Sequence, residues 1–249
     1  MNINNLLKQH QIWLETFHQW GCRANLSDVD LRGADLYEAN LRFANLSDAD
    51  LRNADLRSAD LCNANLCGAD MVEANLVNTR LCRANLRDVN LSRANLHGAN
   101  LFSTNLFDAN LSDANLLSAD LHGCDLCNAD LFKARLRGAN LRDADLRRTN
   151  LREANLHGAN LRGVDLREAN LCGADLSNAN LCSADLFKAN LSGANLRGVN
   201  LYGANLRDTS LRGADLSDAD LCGANFCNTN LFAISLRGAK VMQLYQKYS

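Results

Sequence analysis

Residues 31–50 read LRGADLYEANLRFANLSDAD, with leucine at 31, 36, 41 and 46. The leucines at 36, 41 and 46 each follow an alanine and then an Asp or Asn. The spacing runs from Leu26 to Val241 without an insertion or deletion. Of those 44 positions, 41 are leucine, and the exceptions are Met71, Phe226 and Val241. Two places earlier 33 are alanine, and one place earlier 39 are Asn or Asp, so the pattern is strict enough to test against each regular structure.

An α-helix cannot use a period of five. Five residues advance about 500° around the axis, so the leucines would spiral and form no apolar face. A flat strand fails as well, because five is odd and every second leucine would turn to solvent. The pattern is satisfied if the chain bends once per five residues. Leucine and the alanine two before it then point inward from a short extended side, and the Asn or Asp between them points outward. The two residues after each leucine form a corner. Asn, Asp, Gly and Ser suit it, and glycine recurs at the second corner position (Gly33, Gly98, Gly138, Gly163, Gly203), where a positive φ is expected. The result is a solenoid.

The A-[D/N]-L-x-x unit between Ala24 and Ala239 resembles the pentapeptide-repeat proteins over about nine-tenths of the chain. The resemblance implies an all-β solenoid, a right-handed quadrilateral parallel β-helix with four pentapeptides per coil. At ~4.8 Å per rung, the repeats would make about eleven coils and a rod of ~50 Å. Stacked leucines form its core, among them Leu36, Leu56, Leu76, Leu96, Leu116, Leu136, Leu156, Leu176, Leu196 and Leu216. Cys124, in the alanine place, reads as a core residue.

A β-helix exposes edges at both ends. Residues 1–21 read as an N-terminal capping helix with an apolar face of Leu6, Leu7, Trp13, Leu14, Phe17 and Trp20. Asn4 or Asn5 is expected as N-cap and Gly21 as the stop. Residues 22–240 form the β-helix. Residues 241–249, with Val241, Met242, Leu244 and Tyr245, are either a second cap or a dimer contact.

The chain carries 26 Lys and Arg against 28 Asp and Glu, which argues against a nucleic-acid partner. No apolar run approaches the ~18 residues that span a bilayer, and the N-terminus lacks a signal-peptide pattern, so a cytoplasmic protein is expected. The ten cysteines follow the repeat and are expected to be reduced. Cys62 and Cys82 alone lie twenty residues apart and should stack, with Cys67 near enough for at best a loose three-thiol cluster. The five histidines converge on no common point. An unbroken solenoid offers catalysis no pocket, so no catalytic, metal or cofactor site is expected.

Charge is uneven along the chain. Residues 25–60 are acid-rich, whereas Arg135, Arg137, Arg142, Arg147, Arg148, Arg152, Arg162 and Arg167 make a basic belt, the expected place for a partner. Three functions follow. The first is a non-enzymatic, rod-like scaffold for an unknown protein partner, monomeric or a homodimer through its C-terminal end. The second, which the resemblance implies, is a DNA mimic that binds a type II topoisomerase, DNA gyrase or topoisomerase IV. The basic belt and the leucine-centred repeats argue against it. An enzyme comes last.

Overall fold

The computed structural model describes residues 3–241. One helix, α1 (Ile3–Glu15), precedes a continuous solenoid. From Asn25 to Asp220, every fifth residue forms a parallel bridge to the residue twenty further on, ending at the pair Asp220 and Lys240. Twenty residues therefore make one coil, and each coil has four sides. We number the sides by their first leucines: side 1 holds Leu26, side 2 Leu31, side 3 Leu36 and side 4 Leu41.

The pairing is by single bridges and not by continuous strands, for a geometric reason. Two of every five residues turn the corner, which leaves room for one bridge per side. Within a typical interior repeat every backbone amide nevertheless finds an acceptor. In the repeat at Leu36, the Leu36 amide donates to the Asp55 carbonyl at 2.8 Å and the Glu38 amide to the Arg57 carbonyl at 3.0 Å, both one coil on. The Ala39 amide closes the turn onto the Leu36 carbonyl at 3.0 Å, and one coil on the Asp55 amide donates back to the Ala34 carbonyl at 2.9 Å. The amide of the first corner residue remains. It is taken by the Asx side chain two residues earlier, as when the Tyr37 amide donates to Asp35 Oδ1 at 3.1 Å. That Asx turn is why Asn or Asp recurs before leucine: the side chain replaces a missing backbone acceptor.

The second corner residue has positive φ in every repeat, whether glycine or not, as in Glu38 (54°), Arg83 (57°) and Gly138 (65°). This is the third position of a type II turn, which demands φ > 0. Leucines and alanines fill the interior; the side 3 column from Leu36 to Leu216 is at most 2% exposed. Where threonine replaces alanine, its hydroxyl finds a carbonyl inside: Thr104 Oγ1 donates to Leu81 at 2.8 Å, and Thr149 Oγ1 to Leu126 at 2.9 Å. Cys124 does the same toward Leu101, and burial pushes its thiol up to about 12, which makes it an inert core residue.

The helix differs from the expectation in extent. It starts at Ile3, so Asn4 and Asn5 lie inside it, and it ends at Glu15, well before Gly21. Phe17 and His18 take left-handed conformations and reverse the chain. Phe17 is 88% and Trp20 70% exposed, so neither belongs to the apolar face. Leu6 and Leu7 do pack on the core, and Trp13 stacks on His18 with centroids 3.8 Å apart. Gly21 has another role. A Cβ there would sit 2.3 Å from the Gln9 carbonyl oxygen, so only glycine lets the returning chain pass this close to α1. Met242, Leu244 and Tyr245 lie outside the described residues.

Candidate partner-contact surface

Outside the core, the corners carry most of the functional groups, and their chemistry follows from the coil length. A residue at the first corner position stands above its counterparts twenty residues away. It also lies beside the Asx residue two before it and the one eighteen after it. An arginine there reaches both. At the corner between sides 2 and 3, Arg32 binds Asp30 at 2.6 Å and lies 3.5 Å from Asp50, and Arg52 continues the column to Asp70 at 3.6 Å. The Arg32 guanidinium and amide hold the exposed Asp30 carboxyl down to about 2. The acid-rich first part of the chain is thus interleaved with its own arginines.

The eight arginines expected as a belt divide in two. At the corner between sides 1 and 2, Arg147 and Arg167 alternate with Asp145, Asp165 and Asp185. Arg167 lies 2.6 Å from Asp165 and 3.7 Å from Asp185, and Arg147 lies 3.7 Å from Asp165. Arg148 pairs with Glu168 at 3.0 Å. These three line a shallow hollow of about 200 Å³ with Cys127 and Phe187, but their charge is spent locally. Arg142 pairs with Asp143 at 3.0 Å. Arg135, Arg137, Arg152 and Arg162 make no ion pair among the described residues, and all four are exposed. Proximity in the sequence therefore does not make one patch, because consecutive pentapeptides face different sides.

The cysteines also depart from the expectation of reduced thiols. Cys62 and Cys82 are joined by a disulfide, with Cα atoms 4.7 Å apart. Stacking at one corner in successive coils brings them within the span a disulfide needs. Cys67 is a free thiol outside that bond, so the three-thiol cluster does not form. Among the described residues, no group of His, Cys, Asp or Glu has the geometry of a metal site. His97, His122 and His157 each bond within their own column, His157 Nδ1 meeting Ser177 Oγ at 2.8 Å.

The family model for Pentapeptide repeats matches eight times, from residues 24–62 to residues 200–238. The chain belongs to the pentapeptide-repeat family. Among solved structures, this repeat protein is similar to HetL, a pentapeptide-repeat protein involved in heterocyst differentiation regulation from the cyanobacterium Nostoc sp. strain PCC 7120. The two are 36% identical over 87% of this chain and 89% of HetL, with a TM-score of 0.42. Rfr23 from the cyanobacterium Cyanothece 51142 is 39% identical over 41% of this chain and 63% of its own, with a TM-score of 0.29. QnrB1, a plasmid-mediated fluoroquinolone resistance protein, is 21% identical over 69% of this chain and 92% of its own, with a TM-score of 0.38. No curated protein matches the chain. No helix among the described residues is long and apolar enough to cross a membrane.

Proposed function

We propose that this protein is a non-enzymatic scaffold: a right-handed quadrilateral β-helix of about eleven coils, capped by α1, that presents a stiff surface to a protein partner. One observation carries the reading, the unbroken register of bridges from Asn25 to Lys240. In the interior repeats backbone bonds hold the outward side chains at a fixed height and corner, and in most of them an Asx turn adds to these bonds. A partner that binds such a surface loses little to ordering it, since the surface is ordered beforehand. Eight free cysteines favour a reducing cytoplasm, with Cys62–Cys82 the one bond against it.

The topoisomerase-binding alternative asks for a continuous acidic stripe. The carboxylates of this rod are instead interleaved with arginine, as in the columns Asp30–Arg32–Asp50 and Asp145–Arg147–Asp165. Two experiments test the proposal together. Affinity capture with the purified rod from an extract of its source should retain a protein, and DNA gyrase supercoiling should be unaffected by excess rod. Inhibition of gyrase, or its protection from a quinolone, at submicromolar protein would replace the scaffold by the mimic.

A further inference from the structure

The four unpaired arginines lie on one half of the rod. Arg152 stands at the corner between sides 2 and 3, Arg135 on side 3, Arg137 at the corner between sides 3 and 4, and Arg162 at the corner between sides 4 and 1. Together they form an arc around sides 3 and 4 within two successive coils, about 10 Å of the axis. The acids on this arc, Asp143 and Glu153, are already paired with Arg142 at 3.0 Å and Lys133 at 3.6 Å. The opposite corner holds the neutralised ladder of Arg147 and, one coil on, Arg167. The cross-section is therefore polarised.

Two further features open the arc to a partner. Of the six second corner residues on the arc, Gly138, Gly158 and Gly163 raise no side chain, and Lys133, Asp143 and Glu153 are held in ion pairs. The opposite corner carries Asn128, Arg148 and Glu168 at the equivalent places. The floor of side 4 is an amide ladder, with Asn140 Nδ2 donating to Asp120 Oδ1 at 2.9 Å and Asn160 Nδ2 to Asn140 Oδ1 at 3.2 Å. Asn140 Oδ1 also accepts the Arg142 amide and is fully used, Asn160 Oδ1 accepts the Arg162 amide, and each of the two side chains keeps one N–H for a partner.

From these features we infer that sides 3 and 4, over residues 135–162, dock an acidic protein segment, whose carboxylates meet Arg135, Arg137, Arg152 and Arg162 and whose carbonyls meet the asparagine floor. Guanidinium groups suit carboxylates through paired N–H donors. The positive zone is short and bounded along the axis by Asp120 on side 4 and Asp175 on side 3. A carboxylate cluster fits that length, whereas a nucleic-acid backbone would run past it onto the acids. The inference rests on the scaffold reading and names the partner's chemistry.

The test uses the full chain and a fluorescein-labelled twelve-residue peptide of alternating Glu and Ser, with fluorescence anisotropy as readout. Two triple variants remove the same charge: Arg135→Gln/Arg137→Gln/Arg162→Gln on the arc, and Arg147→Gln/Arg148→Gln/Arg167→Gln opposite. All of these side chains are exposed, and matching thermal melts establish that both variants fold. The arc variant should bind the peptide at least tenfold more weakly than the parent, and the opposite variant should change it less than twofold. Equal losses would reduce the effect to net charge and overturn the inference, as would an absence of peptide binding by the parent. Preferential binding of a twenty-base-pair DNA duplex, lost in the arc variant, would reassign the surface to nucleic acid. A partner captured equally by the parent and the arc variant would remove the arc and leave the scaffold standing.

Discussion

The two ends of the solenoid keep the same register and end differently. In the first coil, Leu26, Leu31, Leu36 and Leu41 are at most 2% exposed, under a helix whose Leu6 and Leu7 pack on the core. In the last, Leu231, Leu236 and Val241 are 42%, 46% and 60% exposed. With Phe226 and Ile234 they surround an open apolar cavity of about 220 Å³. A leucine in this fold is thus not buried by its own repeat. It is buried by the layer above and the layer below, and a terminal layer is only as dry as whatever covers it.

That contrast sets the largest expected effect. Leu36 and Leu236 occupy the same side and the same place in the repeat. Leu36→Ala should cost about 2–5 kcal/mol, and Leu236→Ala about 1 kcal/mol or less, because a half-exposed side chain leaves no cavity. Urea denaturation of the two variants measures the difference. Equal costs would mean that the last coil is as well packed as the first.

Removing the cover should make the two ends alike. Leu6→Ser/Leu7→Ser takes two half-buried side chains off the core, a loss of about 2 kcal/mol of docking. Both tryptophans, Trp13 and Trp20, lie in this segment, so their fluorescence reports on docking separately from the coils. The emission should shift to the red while far-ultraviolet circular dichroism of the solenoid holds. An unchanged spectrum would place the cohesion elsewhere.

The same contact should be sensitive to acid. His10 is fully buried, and its Nδ1 accepts the Ala24 amide at 3.1 Å, which requires the neutral ring. Its Nε2 has no hydrogen-bond partner among the described residues. Burial pushes the His10 pKa down; the Arg42 backbone opposes this, and the nearby Arg23 charge adds to it. A neutral form favoured on docking means stability that is complete above the ordinary histidine value near 6.5 and is lost as pH falls through the lowered one. Tryptophan emission followed from pH 8 to pH 4 should show the N-terminal end loosening only below about 6.5. His10→Gln, which can accept the same amide without titrating, should flatten the profile. An unaltered transition in that variant would assign it to another group.

The smallest effect concerns the corners. Arg83 holds a φ of 57° and makes no ion pair among the described residues. Arg83→Gly should therefore stabilise by roughly 0.5–1 kcal/mol, the relief of left-handed strain less the entropy that glycine loses. A thermal melt detects it, and a lower melting temperature would count against strain at this corner.

Much of this architecture was legible in the residues. The odd period of five excluded helix and flat strand, and the leucine and alanine columns are where the parity argument puts them. The left-handed corner could be read from recurrent glycine, although Glu38, Phe43 and Arg148 adopt it too. The reason for Asn or Asp before leucine was less visible. An outward polar residue on a strand explains itself by exposure, and only the hydrogen bonding reveals the amide two residues on as its partner. The helix end was misplaced because Phe17 and Trp20 keep helical spacing, whereas the chain must turn back so that Gly21 can pass the Gln9 carbonyl. The basic belt looked like a single feature because sequence distance hides the corner that each residue occupies. Pairs two and eighteen residues apart, such as Arg167 with Asp165 and Asp185, are what a twenty-residue coil brings together.

Amide hydrogen exchange resolved along the chain tests the central claim most directly. The solenoid account predicts strong protection of the leucine amides from Leu26, Leu31, Leu36 and Leu41 through the middle coils, falling away at Phe226, Leu231 and Leu236, whose amides meet no backbone acceptor among the described residues. Within each interior repeat, the first corner amide, held only by an Asx side chain, should exchange faster than the four backbone-bonded or turn-closing ones. Protection that is equal at both ends, or that ignores the five-residue rhythm, would contradict it.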